Sequence, residues 1–200
     1  MPVTWIPGSS YFGNAFLAGN VLVDAGVSPA SVSPYKEEID VIVLTHCHFD
    51  HIAYLREIRH LCDATVCIHA FDAPGLIDDN RSLSLHFGAR SPGLVPERLL
   101  SEGDRIGDLQ VIHTPGHTPG SICLLHGPEK ALISGDTVFT DGGFGRYDFP
   151  GGDRSALLKS IERLSTLDIV GLFPGHGAPA EQGGSGHIAA ARDLLRTGYG

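Results

Sequence analysis

A short motif at residues 46–51 combines side chains that commonly bind metal ions. His46, His48, Asp50 and His51 occur in the order His-Cys-His-Phe-Asp-His. Residues two positions apart leave the end of a strand on the same side, so His46 and His48 can converge on one ion. Asp50 and His51 must then turn toward a second ion. Imidazole and carboxylate ligands together suit Zn(II), Fe(II) or Mn(II), so the motif predicts a metal site.

Three further candidate ligands each follow a predicted strand. His117 lies in Pro-Gly-His-Thr-Pro-Gly and His176 lies in Pro-Gly-His-Gly, while Asp136 follows the apolar segment 131–134 and is placed to bridge two metals. Functional side chains gather in the loops at strand ends of layered folds. The seven residues therefore predict a site for two divalent metal ions, with zinc first and iron or manganese as alternatives.

The segments around these motifs show strand and helix patterns in turn. Residues 14–18 and 21–24 flank Gly19-Asn20, a dipeptide typical of a tight hairpin turn. Residues 41–44 form a β-branched apolar run that leads directly to His46. Further strands are predicted at 65–68, 109–113, 121–125, 131–134 and 169–173. Helices are predicted at 52–61, from an Asp153 N-cap to 164, and from a Ser185 N-cap to about 196.

Residues 70–105 show weak periodicity and predict a lid-like insertion with short helices, in which His86 and Arg90 are candidates to line a substrate entrance. The whole chain, residues 1–200, is predicted to be a single domain, because its length suits one core and its composition shows no break. Strands outnumber helices, and the helices fall between or after them. This order predicts an α/β fold with two sheets packed face to face and helices outside.

The composition argues against several partners. The formal net charge is −9 and no dense Lys/Arg cluster occurs, so we expect no nucleic-acid partner and no binding to anionic membranes. No apolar run approaches the roughly 18 residues of a membrane span, and the N-terminus shows no signal-peptide pattern, so we expect a cytoplasmic protein. Its four cysteines form no Cys-x-x-Cys pair and are expected to be reduced.

The order of these motifs resembles that of the metallo-β-lactamase superfamily over residues 21–177. The resemblance implies an α/β fold of the four-layer αββα sandwich type, in agreement with the layers expected above. It also implies His46, His48 and His117 on the first metal, Asp50, His51 and His176 on the second, and Asp136 as the bridge. Asp24 matches a family position beside the site and would orient one of the ligands.

Within the superfamily, the segments 135–139 and 145–152 resemble the short glyoxalase II-like (hydroxyacylglutathione hydrolase-like) branch. This implies that a metal-activated hydroxide attacks the carbonyl of a small acyl thioester. Asp50 would orient the water or accept its proton, and Arg146 would hold an anionic group of the substrate. Because the chain ends soon after His176, without the helical domain that helps to hold glutathione, the thiol carrier and the acyl group stay open.

Two alternatives remain at this point. A persulfide dioxygenase-like oxidoreductase uses the same scaffold with a single iron and also has a Gly-Arg-x-Asp segment, here Gly145 to Asp148. Acyl-homoserine lactonases have a motif that the His46 to His51 segment also resembles. Metal content separates the first alternative from a hydrolase with two ions.

Overall fold

Among residues 2–198, which the computed structural model describes, eleven strands form two sheets. The first sheet has the order β1 (Thr4–Ile6), β2 (Ala15–Ala18), β3 (Val21–Val23), β4 (Val41–Leu44), β5 (Thr65–His69) and β6 (Arg98–Leu100). The second sheet contains β7 (Arg105–Ile106), β8 (Leu109–His113), β9 (Ile122–His126), β10 (Ala131–Gly135) and β11 (Gly171–Pro174), in reverse order from β11 to β7.

The helices fall on both sides of this pair of sheets. The first half of the chain contributes α1 (Pro29–Val32), α2 (Phe49–Ile52) and α3 (Leu55–Cys62), and the second half contributes α4 (Arg154–Leu164) and α5 (Gly184–Thr197). Residues 70–105 contain two short 3₁₀ turns, at Ala73–Leu76 and Ser84–Phe87, before they join the first sheet as β6. None of the helices within residues 2–198 has the length and apolar character needed to cross a membrane.

In the described part of the chain, three clusters of buried apolar side chains separate four layers. Val43 of β4 belongs to the cluster between the two sheets, which also includes side chains from β8, β9 and β10. Its neighbour Ile42 points the other way and is buried with Ile58 of α3, because successive strand residues face opposite sides of a sheet. On the outer face of the second sheet, Leu132 is buried with Leu157 of α4. The predicted αββα sandwich is therefore confirmed.

Strand direction places the polar loops on one edge of the sandwich. The strands β3, β4 and β5 run parallel, so the residues that follow them, including Asp24, His46 and Asp72, leave the sheet at a common edge. In the second sheet β10 and β11 are also parallel, which places Asp136 and His176 side by side. Because β8 and β10 are both antiparallel to β9, the loop that follows β8 lies at the same edge.

Several local predictions are confirmed. The strands β2 and β3 form the expected antiparallel hairpin across Gly19-Asn20, with Ala18 paired with Val21. Asp153 is the N-cap of α4, where its carboxylate accepts a hydrogen bond from the backbone N–H of Ala156 at 3.0 Å. In both cases the information lies within a few consecutive residues, which explains why the sequence pattern is sufficient.

Other local predictions are wrong because a distant contact replaces the local one. The helix expected at 52–61 is split, since the N–H of Tyr54 donates to the carbonyl of Ala25 at 3.0 Å. Ser185 is not the N-cap of α5; the helix begins after Gly183, and the Ser185 hydroxyl accepts from the N–H of Ile169. The strand β6 was not predicted, because its three residues are recognisable only by their pairing with β5.

Candidate metal centre

The loops after β4, β8, β10 and β11 bring the seven predicted ligands into one place. Within residues 2–198, three overlapping groups have candidate ligand atoms within 4.8 Å of one another. They are His46 with His48 and His117, His46 with His51 and Asp136, and Asp50 with His51 and His176. The structure therefore assembles two adjoining sets of donor atoms at the edge where the strands end.

In the first set, the rings are held so that one nitrogen of each faces the site. The Nδ1 of His48 lies 2.8 Å from the Nε2 of His117. The Nδ1–H of His117 donates to the carbonyl oxygen of Arg146 at 2.5 Å, and because a carbonyl only accepts, Nε2 keeps its lone pair. The Nδ1 of His46 lies 3.1 Å from the hydroxyl of Thr45, which directs its Nε2 into the site. Both orientations are the ones a metal ligand requires.

In the second set, carboxylates approach two imidazole nitrogens. The Nε2 of His51 lies 3.2 Å from the Oδ1 of Asp136 and 3.3 Å from the Nε2 of His176. The Nε2 of His176 lies 3.1 Å from the Oδ2 of Asp50. The Oδ2 of Asp136 is 3.6 Å from the Nε2 atoms of both His117 and His176. Asp136 therefore lies between the two sets.

The donor atoms fit divalent cations. Within residues 2–198, His46 Nε2 and Asp136 Oδ1 are buried and have no hydrogen-bond partner. A buried polar atom without a partner is costly, and His46 and Asp136 belong to one group whose candidate ligand atoms lie within 4.8 Å of one another. Nitrogen and carboxylate oxygen donors in this number are suitable ligands for zinc, iron or manganese.

The electrostatics of the site lower the pKa values of His46 and His48 and of the carboxylates of Asp50 and Asp136. Burial lowers the pKa of His48 to about 3 and the pKa of His46 to well below its ordinary value. Burial alone would raise the pKa of Asp136, but His51 and its neighbours hold it well below the usual range. Burial would lower the pKa of His51, but Asp136, Asp24 and Asp50 raise it well above its ordinary value. Because Nδ1 of His51 faces Asp24, a cation would compete with a proton for the Nε2 of this ring.

Comparison with known protein families agrees with this arrangement. The metallo-beta-lactamase superfamily profile matches residues 9–176, which include all seven candidate ligands. The chain belongs to the metallo-β-lactamase superfamily. Solved structures with the same fold include TTHA1623 in a di-iron-bound form, with a TM-score of 0.80 and 31% identity over 88% of this chain and 93% of that one. The B3 metallo-beta-lactamase BLEG-1 has a TM-score of 0.83 and 29% identity over the full length of both chains.

Three proteins of similar sequence have names that denote hydrolases or a thioesterase. A probable metallo-hydrolase of Methanocaldococcus jannaschii is 34% identical over 85% of this chain and 90% of its own length. The hydroxyacylglutathione hydrolase GloC of Haemophilus influenzae is 28% identical, covering 78% of this chain and 79% of its own. The acyl-coenzyme A thioesterase MBLAC2 of Gallus gallus is 31% identical, covering 78% and 68%. The chain is thus a metallo-hydrolase of this superfamily.

Asp24 lies behind the second set, where the superfamily resemblance places it. Its buried carboxylate accepts hydrogen bonds from the N–H and the hydroxyl of Thr45, at 2.7 and 2.8 Å. It also lies 2.8 Å from the Nδ1 of His51. Because the carboxylate holds the proton of His51 on Nδ1, the lone pair of Nε2 faces the site. Asp24 therefore fixes both the orientation and the tautomer of one candidate ligand.

Replacing Asp24 with asparagine is expected to weaken binding of the ion held by Asp50, His51 and His176 about 10- to 100-fold. The amide retains the shape but places a donor where Asp24 accepts from His51. Asparagine also tolerates the left-handed backbone of Asp24, whose φ is 64°, so the turn is preserved. Competition titration with a chelator measures the affinity for each ion separately. An equal loss of metal affinity at both donor sets would contradict this orienting role.

A second buried carboxylate, Asp72, supports the first set and was missed in the sequence analysis. Its Oδ2 accepts from the N–H of Cys47 at 3.0 Å and the hydroxyl of Thr118 at 2.7 Å. Its Oδ1 accepts from the N–H of Gly120 at 2.7 Å. Cys47 lies between His46 and His48, while Thr118 and Gly120 follow His117. Asp72 thus ties together the two loops that carry the first set, and nothing in its local sequence signals this role.

The structure also places the residues proposed to bind substrate. The guanidinium of Arg146 is 64% exposed and is paired with Asp148 at 2.6 Å, above the ring of Phe149. Its backbone carbonyl, rather than its side chain, contacts a candidate ligand. His86 lines the pocket above the site, whereas the exposed Arg90 is paired with Asp79 at the surface. The prediction that Arg90 lines the entrance is therefore wrong, and that for His86 is supported.

Two other residues near the motifs lie outside the ligand sets. The ring of His113 stacks on that of His69, with 4.1 Å between centroids, and its Nε2 lies 2.9 Å from the carbonyl of Pro119. The thiol of Cys47 points toward the carbonyl of Arg81, and burial raises the pKa of this thiol well above its ordinary value. A protonated thiol is a poor ligand and a poor nucleophile, so Cys47 has a packing role.

Proposed function

We propose that the chain is a binuclear metal-dependent hydrolase of small acyl thioesters, of the glyoxalase II-like type. The proposal rests on one observation: Asp136 lies between two adjoining donor sets and lines, with several of their members, a pocket of about 310 Å³. The names of GloC and MBLAC2, a hydroxyacylglutathione hydrolase and an acyl-coenzyme A thioesterase, support a thioester as the substrate class. A small acyl thioester as substrate is compatible with the expected cytoplasmic location.

The side chains of the pocket define what the protein contributes to this reaction. When bound, divalent cations supply hydroxide at neutral pH and polarise the substrate carbonyl. Burial would raise the pKa of Asp50, but His51 and the hydrogen bond with His176 lower it, so Asp50 is an ionised acceptor at neutral pH. It would orient the attacking water by accepting one of its hydrogen bonds. A thiolate leaves without strong acid catalysis, and no general acid is required.

Metal content distinguishes this proposal from the mononuclear iron alternative. Asp50, His51 and His176 form a complete second set beside the first, which supports two ions per chain. Elemental analysis of the isolated protein is expected to give two equivalents of zinc, iron or manganese. One equivalent of iron, together with O₂ uptake on a persulfide, would instead favour the dioxygenase. Hydrolysis of acyl-homoserine lactones in preference to thioesters would favour the lactonase.

Removal of the metal is expected to abolish thioester hydrolysis, and restoring two equivalents should recover it. The assay uses S-lactoylglutathione, acyl-coenzyme A and simple acyl thioesters, with release of the free thiol as the readout. His117→Ala should lower kcat/KM at least about 100-fold, because one ligand of the first set is lost. The matched control is His60→Ala on the exposed side of α3, which should retain wild-type activity. No metal-dependent turnover of any thioester would refute the proposal.

A further inference from the structure

The walls of the pocket beside the candidate ligands are formed largely by apolar side chains. Four phenyl rings line it, and all four are only half-buried, so each leaves part of its face open to the pocket. They are Phe87, Phe139, Phe144 and Phe149. Phe149 lies beside the first donor set, with its ring 5.9 Å from that of His48, and Phe139 lies beside the second, 6.1 Å from His176. Such a group of accessible rings around one concave site is typical of a site for an apolar ligand.

A fifth apolar side chain, Leu83, is presented to the pocket by a strained backbone. Leu83 lines the pocket, is 6% exposed and has a φ of 60°, in the left-handed region. Residues with a Cβ and a bulky side chain rarely adopt this conformation, and glycine or asparagine is usual there. Strain of this kind persists where the surrounding structure imposes it and is concentrated at ligand sites. The conformation directs a leucine, rather than a small residue, into the site.

Contacts with the metal-binding motif hold this wall in place. The N–H of Phe49, which lies between His48 and Asp50, donates to the carbonyl of Ser82 at 2.7 Å. The ring of Phe87 packs against Phe49, with 5.3 Å between centroids, and against Tyr11 at 5.0 Å. These contacts therefore hold the wall formed by Leu83 and Phe87 in a fixed position relative to the donor atoms.

Polar partners for a substrate are few on these walls. Apart from the candidate ligands, the polar side chains that line the described pocket are His86 and Arg146. The Arg146 guanidinium is already paired with Asp148 and lies over Phe149. A hydroxyl group on the acyl chain would lose hydrogen bonds to water here and regain few.

We propose that Leu83 and the surrounding phenyl rings form an acyl-binding site that selects apolar acyl chains over hydroxylated ones such as lactoyl. The inference rests on the proposed thioesterase function and specifies its substrate class. The scissile carbonyl lies at the donor sets, and the acyl chain extends along the apolar walls. The thiol carrier leaves the pocket at the opening, where its polar groups stay in water.

The test uses thioesters of one short, uncharged thiol, N-acetylcysteamine, so that only the acyl group varies. Each kcat/KM is divided by the rate constant for alkaline hydrolysis of the same thioester, which removes differences in intrinsic reactivity. From acetyl to hexanoyl, the ratio is expected to rise about fourfold per methylene until the pocket is filled. Propionyl, which lacks only the hydroxyl of lactoyl, should be favoured about tenfold over it.

Leu83→Asn is the informative variant, because asparagine suits the left-handed backbone and has a similar size but makes the wall polar. It should reduce the preference for hexanoyl over lactoyl by about tenfold or more, with metal content and Tm maintained. The control is Leu85→Asn, in the 3₁₀ turn that follows Leu83 but exposed and outside the pocket lining. Hydrolysis without dependence on chain length would overturn the acyl site alone. Absence of hydrolysis with every thioester would overturn the proposed function and the acyl site with it.

Discussion

Replacing Asp136 with asparagine is expected to lower kcat/KM at least about a thousandfold and to release most of the bound metal. Asp136 is 9% exposed, and its two oxygens approach His51, His117 and His176 from both donor sets. The amide has nearly the same shape, so the fold should be retained, but it removes the negative charge that both sets share. Metal content by elemental analysis and kcat/KM with the best thioester measure the two effects.

The matched control for this variant is Asp168→Asn. Asp168 is an exposed carboxylate that pairs with Lys130 at 2.6 Å. Both residues precede the parallel strands β10 and β11, whereas Asp136 and His176 follow them, so the pair lies at the opposite end of these strands from the donor sets. Exposed ion pairs contribute little to stability, so metal content and kcat/KM should be unchanged. If Asp136→Asn retained two tightly bound ions and wild-type activity, the assignment of Asp136 as the shared ligand would be wrong.

Replacing Asp72 with asparagine is expected to weaken binding at the first donor set about 10- to 100-fold, although Asp72 contacts no candidate ligand side chain. It should also lower the free energy of unfolding of the metal-free protein by about 2 kcal/mol. The reason is that three donors, from Cys47, Thr118 and Gly120, point at its buried oxygens. An amide nitrogen in place of either oxygen faces at least one of these donors. Denaturant unfolding and metal titration measure the two effects separately.

The control for Asp72→Asn is Asp193→Asn, a change of the same type at an exposed carboxylate on α5 that pairs with Arg192. It should shift neither metal affinity nor stability by a measurable amount. A purely structural role for Asp72 predicts loss of stability with equal weakening at both donor sets. Selective weakening at the first set, where His46, His48 and His117 lie, is the outcome that identifies Asp72 as a positioning residue.

The sequence predicted the elements whose information is local. The hairpin across Gly19-Asn20 and the Asp153 N-cap depend on a few consecutive residues, and the structure contains both. The αββα layers also followed from the alternation and order of the apolar segments. By contrast, the split between α2 and α3, the short strand β6 and the role of Ser185 each depend on a partner far away in the chain.

For the site, the sequence by itself determined the ligand candidates, because metal binding restricts side chains to a few types and the loops after strands present them in recognisable motifs. Tertiary structure decided which nitrogen of His46, His51 and His117 faces the site, since the other nitrogen of each ring contacts Thr45, Asp24 or the carbonyl of Arg146. It also decided that Asp72 joins the two loops of the first set and that Leu83 faces the pocket. These contacts join residues distant in sequence, and only the packing of the two sheets brings them together.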